Sequence, residues 1–204
     1  MALSALRSRL WAEDRAAQLV EFAVALPLLV LFIVGIFDFS GAFTLKQKLT
    51  NFARDAARVS AADPANDLGS AFGSGQGPAS VVDAYNVVHN DLTANKMDDC
   101  GVTASNVSSS GTLTWQYTAT RNSPAPCSIT VTINRGYVFP ANSTTPAPAT
   151  CASQSVGNQT AIVSTCVSVQ YKYPWRFGHV STLLGQSTTL PAQITGVAVS
   201  MNEN

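Results

Sequence analysis

The chain has 204 residues, a formal net charge of zero and only 12% charged side chains. That length admits one membrane segment and one modest domain. A surface with no positive excess argues against DNA or RNA as a partner.

Residues 1–16 read as a short polar leader, with Arg7, Arg9 and Arg15 set against Glu13 and Asp14. An apolar run from Leu19 to Phe43 follows, interrupted only by Glu21 and Asp38. A helix rises about 1.5 Å per residue, so roughly 20 apolar residues cross a hydrocarbon core of about 30 Å. Residues 17–62 are therefore expected to form one helix, with a transmembrane segment over about 19–43 in contact with the lipid bilayer. Asp38 is expected at the membrane interface. Pro27 withholds one backbone hydrogen bond and is a candidate helix kink. Beyond the apolar run, Leu45, Leu49, Phe52, Ala56 and Val59 recur at steps of four, three, four and three. That spacing places them on one face of a continuing helix, ready to pack on a domain.

Several strings in this region resemble one family. They are Val20–Glu21–Phe22–Ala23, Leu26–Pro27–Leu28–Leu29, Gly35–Ile36–Phe37–Asp38–Phe39, and the Ala/Arg-rich exit from Leu49 to Arg58. Together, over about residues 15–60, they are similar to the TadE-like proteins, pseudopilins or minor pilins of bacterial tight-adherence (Flp-type) pilus systems. The resemblance implies prepilin-type cleavage between Ala16 and Ala17, which would make Glu21 the fifth residue of the mature chain. It implies that Glu21, with Phe22 beside it, serves subunit recognition by attracting the N-terminal amine of a neighbouring subunit. The residue before the cut is usually Gly in such families; here it is Ala16. An ordinary secretory signal with a small-residue site at Ser40–Gly41–Ala42 is the competing reading, but its apolar region would be far longer than usual.

Asp63–Pro64 should end the helix, and residues 63–79 read as a flexible Gly/Ser-rich loop. Residues 80–204 read as an extracytoplasmic α+β domain. Ser80 opens a short helix with Val81, Tyr85, Val88 and Leu92 on one face, and Ser80 with Asp83 resembles a capping box. Past Cys100 the apolar period becomes two. Leu113, Trp115 and Tyr117 share one face; so do Ile129, Val131 and Ile133. Val163, Val167, Val169, Tyr171 and Tyr173 form a third set, and Ile194–Met201 a last strand. Four strands with one apolar face require a cover, and the stripe at 45–59 supplies it. Pro140–Thr150 and Pro174–Thr189 read as surface loops.

All four cysteines, Cys100, Cys127, Cys151 and Cys166, follow the apolar run. None forms a CxxC pair, and neither His89 nor His179 stands at zinc-ligand spacing, so no metal or other cofactor is expected. Two disulfides are the better reading. Of three connectivities, neighbour pairing closes the smaller loops and is expected: Cys100–Cys127 and Cys151–Cys166, a loop of this size adding about 3 kcal/mol. Disulfides need an oxidising compartment, which puts the C-terminal domain in the periplasm and the leader in the cytoplasm. The charges flanking the span, with Lys46, Lys48, Arg54 and Arg58 on the far side, are too balanced to orient it.

No GxSxG, HExxH, P-loop or strand-linked GxGxxG pattern occurs, so no enzymatic activity is expected. By resemblance the chain would initiate, cap or anchor an Flp-type pilus serving adhesion and biofilm formation. Its implied partners are the major Flp pilin, other minor pilins, the prepilin peptidase and the inner-membrane assembly platform. The alternative is an uncleaved, single-pass periplasmic binding module that uses Trp115, Tyr117, Tyr137, Tyr171, Tyr173 and Trp175 as a binding face.

Overall fold

The computed structural model describes the backbone of residues 2–69, 77–143, 149–175 and 191–203, and side chains from Gln18 onward. The expected loops at 63–79, 140–150 and 174–189 fall partly outside the described residues. The fold is α+β. Helix α1 spans Ala2–Ala62 and α2 spans Ala79–Ala94, with a 3-10 turn at Ala65–Gly69 between them. Five antiparallel strands follow as β1 (Val107–Gly111), β2 (Thr114–Arg121), β3 (Cys127–Pro140), β4 (Ala161–Lys172) and β5 (Gln193–Met201). They pair in chain order, β1-β2-β3-β4-β5. The chain divides into two units: one holds α1 to Gly41 together with Trp175, and the other covers Ala42–Pro174 and the chain from Pro191.

In the second unit, α1 buries Leu49, Phe52, Ala53, Ala56, Ala57, Ser60 and Ala61. The expected stripe thus holds at Leu49, Phe52 and Ala56. Val59 is exposed instead, and Ser60 and Ala61 take its place. The inner face is rich in alanine, so helix and sheet approach closely. A Cβ built on Gly196 of β5 would lie 2.3 Å from the carbonyl carbon of Leu49 and 2.4 Å from the nitrogen of Thr50. Glycine is required there by the helix backbone itself.

α1 stops because Pro64 disfavours helical geometry at Asp63. α2 buries Val81, Ala84, Tyr85, Val88 and Leu92, matching the expected face. Its N-terminus differs from expectation. The Ser80–Asp83 capping box is not formed: the Ser80 side chain is buried, and its backbone N–H donates 2.7 Å to Asp67 Oδ2 from the preceding turn. A carboxylate from outside the helix satisfies that donor, a service the local spacing could not reveal. At the other end, Lys96 adopts φ 54° and the Met97 N–H returns 2.9 Å to the Leu92 carbonyl, closing a Schellman-type cap.

Cross-strand partners share a face, so the register defines two sides of the sheet. Trp115, Ile133, Val167 and Ala198 align in one row, and Tyr117, Val131, Val169 and Gly196 in the next. α1 meets this face at Gly196, and Tyr85 of α2 stacks on Tyr117 with centroids 4.3 Å apart. The other face carries Cys166 and, past a bulge in β3, Tyr137. These two pack with Cys151, with Phe139, Val197 and Val199 against them. Two expectations are corrected here. Strand β1 was not anticipated, because Val107–Gly111 is Ser-rich and shows no apolar alternation. Leu113 is no strand residue; at φ 54° it forms the turn between β1 and β2.

Replacing Gly196 by Ala should push α1 off the sheet and lower stability by about 1–3 kcal/mol. Gly111→Ala, whose Cβ would meet only Thr114 at 3.8 Å, is the control and should be near neutral. Thermal unfolding of the detergent-solubilised chain compares the two.

Candidate functional site

The first part of α1 has the composition of a bilayer-crossing element. Gln18–Ala62 contains an 18-residue window of mean hydropathy 2.7, of which only 6% is buried. Leu19, Phe22, Val24, Leu28, Phe32 and Phe37 all project outward. Side chains that expose hydrocarbon around most of a helix suit lipid rather than water.

Glu21 lies at the start of this surface and is exposed, as is Phe22. Among the described residues Glu21 makes no ion pair. Asp38 differs from expectation in being buried, at 4% exposed. Gly35, one turn earlier on the same side, is buried too, and Trp175 meets Phe39 edge-on at 5.6 Å. Protein therefore covers one strip of the helix around Gly35 and Asp38. α1 runs unbroken through Pro27, which has no N–H to offer the Ala23 carbonyl four residues back. The Ala16–Ala17 bond lies within α1; the side chains of both residues fall outside the described ones.

In the other unit, the structure pairs Cys100 with Cys127 and Cys151 with Cys166, at Cα separations of 5.4 and 5.6 Å. The first links the loop after α2 to the start of β3. Beside it, Arg121 forms an ion pair with Asp98, whose carboxylate also accepts the Cys100 N–H at 2.8 Å. Asp98, Cys100 and Cys127 lie close enough together to suggest a metal site, but the thiols are consumed in the disulfide. The Arg121 and Cys100 hydrogen bonds hold the Asp98 carboxyl below the usual carboxylate range. Burial acts oppositely elsewhere: it raises Asp63, with Asp83 adding to the effect, and raises Asp91, with Asp55 adding. Burial also pushes the Tyr85 hydroxyl up to about 12, where it donates 3.0 Å to the Val102 carbonyl.

The sequence reading missed Arg135. It is 1% exposed in the β3 bulge, where Arg135 and Gly136 oppose the single residue Thr165. Its Nη2 donates 2.8 Å to the Asp63 carbonyl just past the end of α1, and Nη1 donates 3.2 Å to Thr165 Oγ1. Thr165 in turn donates 2.6 Å to Asn202, whose amide donates 3.3 Å back to the Arg135 carbonyl. Burial lowers the Arg135 pKa, while Asp67 and Asp63 favour its charged form. A cation at a helix C-terminus also opposes the negative end of the helix dipole. The available signal was Asn134–Arg135–Gly136 interrupting an apolar alternation, a pattern that marks a bulge.

Within the second unit, Trp115, Tyr117 and Tyr137 do not share one binding face. Trp115 and Tyr117 are buried on the helix-covered side of the sheet, and Tyr137 is buried on the opposite side. Tyr171 donates 3.0 Å to the Asp98 carbonyl, and Trp175 packs on Phe39.

A family model described as TadE-like protein matches residues 16–58. The match begins at Ala16, includes Glu21 and Pro27, and ends inside α1, so this part of the chain is similar to TadE-like proteins. No curated protein and no solved structure matches the chain.

The Asp98–Arg121 pair fixes the sign of one pH effect. A carboxyl held below its ordinary pKa stabilises the fold above that pKa, and this stability is lost as pH falls through the folded value. Asp98→Asn should therefore lower the unfolding midpoint at pH 7. The gap to the parent chain should close as pH falls below about 4. A gap of constant size, measured by thermal unfolding across that range, would mean the side chain acts by shape and not by charge.

Proposed function

We propose that the chain is a minor pilin or pseudopilin of a tight-adherence (Flp-type) pilus system. It crosses the inner membrane once, with the leader in the cytoplasm and the disulfide-bonded domain in the periplasm. It works by helix packing rather than turnover, helping to initiate, cap or anchor the pilus used in adhesion and biofilm formation. Its partners are the major Flp pilin, other minor pilins, the prepilin peptidase and the membrane assembly platform.

The observation that carries this reading is the solitary carboxylate of Glu21 on an otherwise hydrocarbon surface. Glu21 and Asp38 are separated by about 26 Å along the helix axis, less than a hydrocarbon core of about 30 Å. Both carboxylates therefore cannot lie comfortably outside the hydrocarbon. Asp38 is covered by protein, whereas Glu21 is exposed. An acidic group in that position favours a cationic partner. Cleavage after Ala16 creates one, the α-amino group of Ala17, on this chain and on any neighbour processed the same way. The TadE-like match over residues 16–58 and the two disulfides fit the same reading.

Two measurements test it. Intact mass and N-terminal sequencing of the protein from native membranes should find a chain that begins at Ala17. One beginning at Met1 would remove the amine and leave an uncut anchor. Glu21→Ala should leave the protein inserted and its disulfides formed, yet reduce the pili recovered by shearing by at least about tenfold. Glu21→Asp should recover part of the loss. Normal piliation in Glu21→Ala would overturn the assembly role.

A further inference from the structure

We infer that the free edge of β5 is a docking site for an extended peptide segment of a partner protein that carries a carboxylate next to apolar side chains. Among the described residues β5 pairs with β4 alone, leaving its other row of backbone N–H and C=O groups without a strand. Proteins usually blunt such an edge with charge, proline or brevity. β5 has none of these: Gln193–Met201 is nine residues long and contains no Asp, Glu, Lys, Arg or Pro. The opposite edge, β1, is only five residues long and is mostly serine. α1 packs against the face of β5 at Gly196, where the Cβ direction points into the helix backbone.

A cleft of about 340 Å³ runs beside this strand, lined by Arg54, Tyr137, Phe139, Gln154, Val197 and Val199 among others. Tyr137 and Phe139 stack with centroids 5.8 Å apart, and Gln154 Nε2 holds the Tyr137 hydroxyl at 3.0 Å. The aromatic wall is thus fixed in place. Arg54 projects from the exposed side of α1 and, among the described residues, has no carboxylate within ion-pair distance. Its planar guanidinium matches a carboxylate with two parallel hydrogen bonds.

These features call for one kind of occupant. A backbone edge is complemented by another extended backbone, with alternate side chains entering the cleft. The valines and aromatic rings take an apolar side chain, and Arg54 takes the anion. A small organic anion would use Arg54 and the rings but leave the edge unpaired.

The probe is a fluorescently labelled synthetic peptide, Thr-Val-Thr-Val-Phe with a free C-terminal carboxylate, titrated against the full chain in detergent micelles. Saturable binding is expected. The C-terminal amide of the same peptide should bind at least about tenfold more weakly, because it loses a charge-assisted hydrogen bond. Arg54→Gln should weaken the carboxylate peptide by a similar factor and leave the amide peptide unchanged. Arg54 is exposed, so the variant should keep the parent's unfolding midpoint, and that midpoint is measured alongside. A peptide N-methylated at alternate residues, which cannot pair with a strand edge, should fail to bind. No saturable binding at millimolar peptide, or equal binding by acid and amide, overturns the proposal. Equal binding by the N-methylated peptide also overturns it, and would mark the cleft as a site for small amphipathic anions.

Discussion

The backbone of α1 lies against β5 so closely that Gly196 has no room for a methyl group. Much of the folded unit follows from that contact. Ala53, Ala56, Ala57 and Ala61 line the inner face of the helix because longer side chains would hold it off. Leu49 and Phe52 then supply the larger apolar bodies where the space permits. A helix seated this deeply brings its last carbonyls away from water, and buried carbonyls need donors. Arg135 meets that need at Asp63, and the β3 bulge is what delivers it. The tail participates too, through Asn202 and the Glu203 N–H directed at the Ala61 carbonyl.

The same helix is built for two surroundings. Between Leu19 and Phe43 its large exposed side chains are Leu, Val, Ile and Phe, whose exposure to water would be unfavourable and whose exposure to lipid is not. From Ala42 onward the inner face becomes small and the outer face polar, with Lys46, Gln47, Asn51 and Arg54 exposed. The change falls in the apolar-to-amphipathic transition and not at a break in the helix. Charge is placed just as sparingly. One acid in the apolar part is covered by protein and the other is left exposed, and both lie in the segment similar to TadE-like proteins.

Much of this was legible because periodicity is a local signal. The inner stripe of α1, the buried face of α2 and the alternation in β2 and in the first half of β3 each repeat over several residues. Each repeat reports which side is buried. What escaped were features decided at a distance. β1 is a strand because β2 lies beside it, not because Ser108–Ser110 favour extension. Asp67 caps α2 from thirteen residues away, so the nearer Ser80–Asp83 pairing was a false lead. Arg135 went unremarked because only the bulge turns it toward the helix end. Asp38 looked interfacial because an acid in an apolar run ordinarily reaches for water, and the local sequence carries no notice of what covers it.

The sheet is also buried on the side that no described helix covers. Cys166 there packs with Tyr137 and Cys151, and Thr132 and Ser168 are buried although they are polar. A small domain has little apolar surface with which to build a second layer. The segment around Cys151 serves instead, held to β4 by the Cys151–Cys166 bond and to β3 by the Gln154 N–H on the Val138 carbonyl. Asn134 adds a hydrogen bond of 2.8 Å to the Cys151 carbonyl. This segment also carries Gln154, which holds Tyr137 in the wall of the cleft beside β5. The covalent link that closes the second face of the sheet therefore also fixes the surface next to its free edge. Oxidation of that pair stabilises the fold and sets the shape of the cleft through the same few residues.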